Sequence, residues 1–135
     1  MSDFIIKINF QKHKKTEDLS ISPSDLYQNE KDINVNYYSS DLFESILVNS
    51  LIDDETTYFE NENFFIVSSI LSGSSESSLK LKNDENSSEK ILDLFLAEQH
   101  KFLSKISIPF SFVILNKKSR EVYISRDQMG LKSIF

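Results

Sequence analysis

Apolar and polar residues alternate from Asp3 to Phe10, with Phe4, Ile6, Ile8 and Phe10 on one face and Lys7 and Asn9 on the other. A period of two over that length predicts a β-strand starting almost at the amino terminus. From Gln11 to Asn36 the pattern is weak, and one short helix is expected near Ser24–Gln28. Tyr37 to Val48 holds two aromatic and β-branched patches, of which Leu42–Val48 is the better strand. Tyr58-Phe59 and Phe64–Val67 read as a hairpin bridged by Glu60–Asn63. Gly73 among the serines of Ser72–Ser78 marks a loop, which Lys82–Ser87 continues as polar turn.

Beyond that loop the period changes. Ile91, Leu92, Phe95, Leu96, Phe102 and Leu103 share one broad face at three-to-four spacing. They predict a helix capped by Ser88 and running through about Ser104. Phe110–Leu115 and Glu121–Ser125 then flank Asn116-Lys117-Lys118-Ser119-Arg120, the strongest hairpin signal in the chain. A last short strand is expected over Lys132–Phe135. Strands come in hairpins and do not alternate with helices, so the expected class is α+β with antiparallel sheets. Phe110–Leu115 is apolar on both faces, so both sides of its sheet should be covered, as in a layered sandwich.

A length of 135 residues fits one domain, taken as 1–135. Twenty-one acidic against 15 basic residues give a net charge of −6. That balance repels phosphate backbones and anionic membranes, so nucleic acid is not an expected partner. The absence of cysteine excludes disulfides, thiolate zinc sites and a thiol nucleophile. The start carries no basic region followed by an apolar stretch, and no apolar run approaches the roughly 18 residues that span a bilayer. A cytoplasmic protein with no membrane partner is the expectation. His13 and His100 are the two imidazoles, and neither has neighbours at metal-ligand spacing. Asp53-Asp54-Glu55 and Asp84-Glu85 read as solvated loop charges. No metal or cofactor is expected.

The last two strands carry a more specific string. Ile108–Leu115 is followed by a short turn, then Glu121–Ser125, then Arg126-Asp127-Gln128-Met129-Gly130-Leu131-Lys132. Asp127 suits a turn because a short carboxylate bonds nearby backbone amides. Gly130 suits a position of positive φ, and Arg126 offers a forked donor at the end of the sheet. This string, with Arg126, Asp127, Gly130 and Lys132 at matching places, resembles the end of a class II glutamine amidotransferase domain. The likeness extends, more faintly, to the whole amino-terminal domain of the asparagine synthetase-like family. The resemblance implies an αββα sandwich of the N-terminal nucleophile hydrolase type, with a partner domain of the ATP-using synthetase kind, in cis or in trans. The chain halts at Phe135, where relatives run on into that half, so it is expected to be a fragment or split product.

The same resemblance implies that the chemistry is missing. Such domains use an amino-terminal Cys, freed of Met, whose own α-amino group is the base; here Ser2 occupies that place. The arginine that holds the substrate carboxylate falls near Ile21. The Asn-Gly-Glu segment that supplies oxyanion donors falls near Val67, Ser68 and Ser69, and the aspartate for the substrate amino group near Ser88. No Arg precedes Arg120 and no Asn-Gly occurs anywhere in the chain. Losing one oxyanion donor typically costs about 10²–10³ in rate, so the joint loss predicts no useful glutaminase activity. The leading expectation is a degenerate glutaminase-like domain with a structural or regulatory role. The alternatives are a Ser2-dependent amidohydrolase supplying ammonia for asparagine synthesis, and a stand-alone protein-interaction domain.

Overall fold

The structure is a computed structural model that describes residues 3–8, 33–40, 42–50, 54–71 and 86–130. Those residues form seven strands: β1 (Asp3–Ile8), β2 (Ile33–Ser39), β3 (Phe43–Ser50), β4 (Asp54–Glu60), β5 (Phe64–Leu71), β6 (Phe110–Asn116) and β7 (Val122–Arg126). One α-helix, α1 (Ser87–Glu98), and a 3₁₀ segment (Gln99–Lys105) lie between β5 and β6. The strands make two antiparallel sheets, of order β1-β3-β2 and β4-β5-β6-β7. The mixed α+β class expected from the hairpins is what the chain adopts. The expected short helix at Ser24–Gln28, the loop at Ser72–Ser78 and the strand at Lys132–Phe135 lie outside the described residues.

Alternation along β5 and β6 explains the layering. Phe65, Val67, Val113 and Leu115 point toward the three-stranded sheet and pack with Phe43 and Leu47. Ile66, Ile70, Phe110, Phe112 and Ile114 point the other way, against Ile91 and Leu92 of α1 and against Phe102. Both faces of β6 are thus covered, as its uninterrupted apolar run requires. The described layers run sheet, sheet, helix, and two cores share the central sheet. The ring of Phe43 stacks on that of Phe65 with centroids 3.9 Å apart, and Tyr38 meets Tyr58 at 3.8 Å. On the helix side Phe102 stacks on Phe112 at 6.0 Å.

Local chemistry sets the turns. Asn61 Oδ1 accepts from the amides of Asn63 and Phe64, closing the β4–β5 hairpin. Asn116 Oδ1 accepts from the amides of Lys118 and Ser119 and does the same for β6–β7. Lys117 stitches the two turns together: its amide donates to the Asn63 carbonyl, and its ammonium reaches the Asn61 carbonyl at 2.7 Å and Glu60 at 2.6 Å.

Three details depart from the sequence pattern. β2 begins at Ile33 and pairs with β3 from Ser50 back to Glu44, so the weak stretch before Tyr37 is already strand. The helix cap is Asn86, not Ser88: the Asn86 carboxamide accepts from the amides of Ser88 and Glu89 and donates to the Tyr58 carbonyl. The helix also stops at Glu98. Gln99 takes φ 51° and ψ −141°, and the 3₁₀ turns that follow bring Phe102 to complete burial.

Candidate functional site

Two groups of polar side chains sit inside this apolar frame, one on each face of the central sheet. On the helix side, Thr57, Ser68 and Ser88 converge. The Ser88 hydroxyl lies 2.7 Å from that of Ser68 and 2.9 Å from that of Thr57, and it donates to the Thr57 carbonyl at 2.8 Å. The Ser88 amide donates to both Thr57 Oγ1 and Asn86 Oδ1. Ser68 and Ser88 are fully buried. Each hydroxyl is satisfied, and the group locks the start of α1 to β4 and β5.

The second group appears only once the register is known. Thr56 pairs with Ser69, Ser69 with Ser111, and Ser111 with Arg126, one row across all four strands. Strand alternation turns this row toward β1-β3-β2. Thr56, Ser69 and Ser111 are buried, whereas Arg126 at the margin is exposed. The row joins three hydroxyls to one guanidinium at one end of the space between the sheets. It holds hydrogen-bonding groups and a fixed positive charge, but no thiol, imidazole or carboxylate that would act as nucleophile or base. Sequence reading reached Ser69 and Arg126 separately and missed Thr56 and Ser111, because a row is a property of strand pairing and leaves no local signal.

Of the positions the resemblance implies, Ser68 and Ser88 come together and Val67 and Ser69 face the other sheet. Ser2, Ile21 and Lys132 lie outside the described residues. Val67 is fully buried in the inter-sheet core, where it pairs with Tyr58 and Val113. Ser68 points to the helix, opposite to Val67, because neighbouring residues of a strand face opposite ways. Ser69 is the residue on the inter-sheet side. Ser88 is tied to Ser68 and Thr57 at the helix start.

Backbone bonds close the terminal turn, and Gly130 has the positive φ its position suggested. The Asp127 amide donates to the Phe110 carbonyl at 2.9 Å, and the Gly130 amide to the Asp127 carbonyl at 3.1 Å. Gly130 has φ +65°, and the Arg126 guanidinium passes over its α-carbon. Asp127 is almost fully buried. No group of three or more His, Asp or Glu suited to a metal ion occurs among the described residues. None of their helices is long and apolar enough to cross a membrane. A shallow concavity of about 480 Å³ lies at the helix break, lined by Leu96 to Lys101. It borders neither polar group.

What these features define, among the described residues, is an α+β arrangement of two antiparallel sheets and one α-helix. Comparison with known protein families, with curated proteins and with solved structures finds no match.

Proposed function

We propose that this chain is a catalytically degenerate glutaminase-like domain of the asparagine synthetase type, serving as a structural or regulatory module for an ATP-using synthetase half. The observation that carries the reading is what occupies the family positions. Val67 is part of an apolar core, the Ser68 hydroxyl is bonded to that of Ser88, and Ser88 donates to the Thr57 carbonyl. None of the three offers a charge or an unengaged donor to an amino-acid amide. The frame, by contrast, keeps the stacked antiparallel sheets and the Arg126-Asp127 turn with Gly130 at positive φ.

The finer expectation, an αββα sandwich of the N-terminal nucleophile type, draws support from one residue. Ile46 faces outward from β3, opposite to Phe43 and Leu47, yet it is 2% exposed. An outward isoleucine that deep needs a cover, which the fourth layer of such a sandwich would supply.

Two measurements test the proposal. The purified chain, incubated with glutamine, should release no ammonia above a buffer blank, and Ser2→Ala should change nothing. It should also bind an asparagine synthetase-like ATP-using domain in a direct titration. Ammonia release abolished by Ser2→Ala would replace this reading with the Ser2-dependent amidohydrolase. A failure to bind any such domain would remove the modular role.

A further inference from the structure

Helix α1 ends at Glu98 although nothing in the sequence there calls for an end. Residues 98–105 contain no glycine, proline or β-branched side chain, and the Glu, Gln, Lys and Leu among them favour helix. The chain nevertheless turns at Gln99, which takes φ 51° and ψ −141°, and continues as seven residues of 3₁₀ helix. A glutamine in that conformation is strained. A 3₁₀ run of that length is uncommon, because its hydrogen bonds are poorer than those of an α-helix. Two local costs therefore oppose the bend. One side chain favours it. Phe102 is fully buried, with its ring 6.4 Å from that of Phe95 and 6.0 Å from that of Phe112. On a straight helix Phe102 would lie about 10 Å along the axis from Phe95, so the observed ring contact needs the bend.

The other side chains of the segment hold it weakly. Gln99, His100, Lys101, Ser104 and Lys105 are exposed, and Leu103 is half-buried. The 2.6 Å ion pair between Lys105 and Glu98 faces solvent, where such pairs contribute little. Ile108, buried in the helix-side core, pins the far end. We propose that residues 99–105 form a two-state strap, hinged at Gln99 and latched by Phe102. In the latched state the Phe102 ring fills its slot beside Phe95 and Phe112. In the released state Gln99 relaxes to helical φ and ψ, α1 gains a further turn, and the slot on the helix side of the central sheet is uncovered. Strain at the hinge and a single latch let the strap open ahead of global unfolding. The inference goes beyond the glutaminase-like reading and does not depend on it.

The test uses the full chain labelled with ¹⁵N and ¹³C. Native-state hydrogen exchange should show the amides of residues 102–106 opening more often than those of β5 and β6, with less dependence on denaturant. Gln99→Gly, which relieves the hinge and disfavours helix, should slow that opening about tenfold. Gln99→Ala keeps the strain and should not slow it. Phe102→Ala removes the latch, and the ¹³Cα shifts of residues 99–101 should then move to helical values. Unshifted amides in β3, which faces the other core, verify that each variant is folded. The proposal is overturned if residues 102–106 exchange only when β5 and β6 do, or if Gln99→Gly and Gln99→Ala act alike. Coil shifts at residues 99–101 in a folded Phe102→Ala would also overturn it, since the segment would then fray and not switch. Should Phe102→Ala fail to fold, the two exchange results decide.

Discussion

Three buried serines separate what a hydroxyl does when it is bonded from what it does when it is not. Ser88 holds Ser68, Thr57 and the first turn of α1 together through bonds of 2.7 to 2.9 Å. Ser45, 1% exposed on the inner face of β3, has no hydrogen-bond partner for its Oγ among the described residues. Removing the first strands buried polar atoms and costs about 1–3 kcal/mol, whereas removing the second relieves a desolvation penalty of similar origin. Ser88→Ala should therefore lower the free energy of unfolding by about 2 kcal/mol, and Ser45→Ala should raise it by about 1 kcal/mol. Guanidinium denaturation of both variants checks the contrast, and equal signs would refute it. None of this was readable from the chain. Ser68 and Ser88 are 20 positions apart, and serines in a Ser-rich sequence carry no mark of burial. Val67, Gly130 and Arg126 were readable, because an apolar residue in a strand run and a glycine at a turn state their environment locally.

At the level of elements, legibility follows periodicity. The hairpins β4–β5 and β6–β7 stood out because two apolar runs flank Asn-bearing turns, and both Asn61 and Asn116 prove to be the residues that close them. β2 was underread although Ile33, Val35 and Tyr37 alternate with Asn34 and Asn36, because asparagine is depleted in strands and the run is short; pairing with β3 decides it. The break in the helix carried no Gly or Pro to announce it. A continuous α-helix would take Phe102 further along its axis; the turn at Gln99 brings that ring against Phe95 and Phe112 instead. The cost falls on Gln99, whose φ of 51° with ψ −141° is ground that glycine occupies freely and other residues do not. Gln99 is exposed, so its side chain contributes little packing. Gln99→Gly should stabilise the chain by about 1 kcal/mol, a rise of roughly 3–5 °C in Tm for a domain of this size. Thermal unfolding followed by circular dichroism measures it, and a lower Tm would mean that the strain is not there.

For the whole molecule, the open question is how two sheets that exchange no strand between them stay in register. Side chains supply the answer, and the Tyr38–Tyr58 contact lies across the gap between β2 and β4. Burial pushes the Tyr38 phenol up from 10.0 to about 12, helped by its hydrogen bond to the Tyr58 side chain and by the negative charges of Tyr58 and Glu60. A raised phenol means that the folded state holds its proton more tightly than the unfolded chain does. Below about pH 10 both states keep the proton, and the contact contributes its full stability. Between about pH 10 and 12 the unfolded chain loses the proton first, so stability declines with rising pH and is spent once the folded phenol ionises. Tyr123, raised by desolvation and by Glu121, adds to the slope without joining the sheets. Tyr38→Phe should therefore flatten the fall in unfolding free energy between pH 10 and 11.5 without abolishing it, and Tyr123→Phe should flatten it independently. If the two variants act through one common unit, as sheets docked by a shared core require, every probe of unfolding will move together at each pH. Chain dimension from small-angle X-ray scattering and far-ultraviolet circular dichroism that part company above pH 10 would mean that the sheets separate before they melt, and that the inter-sheet contact is weaker than its 3.8 Å geometry implies.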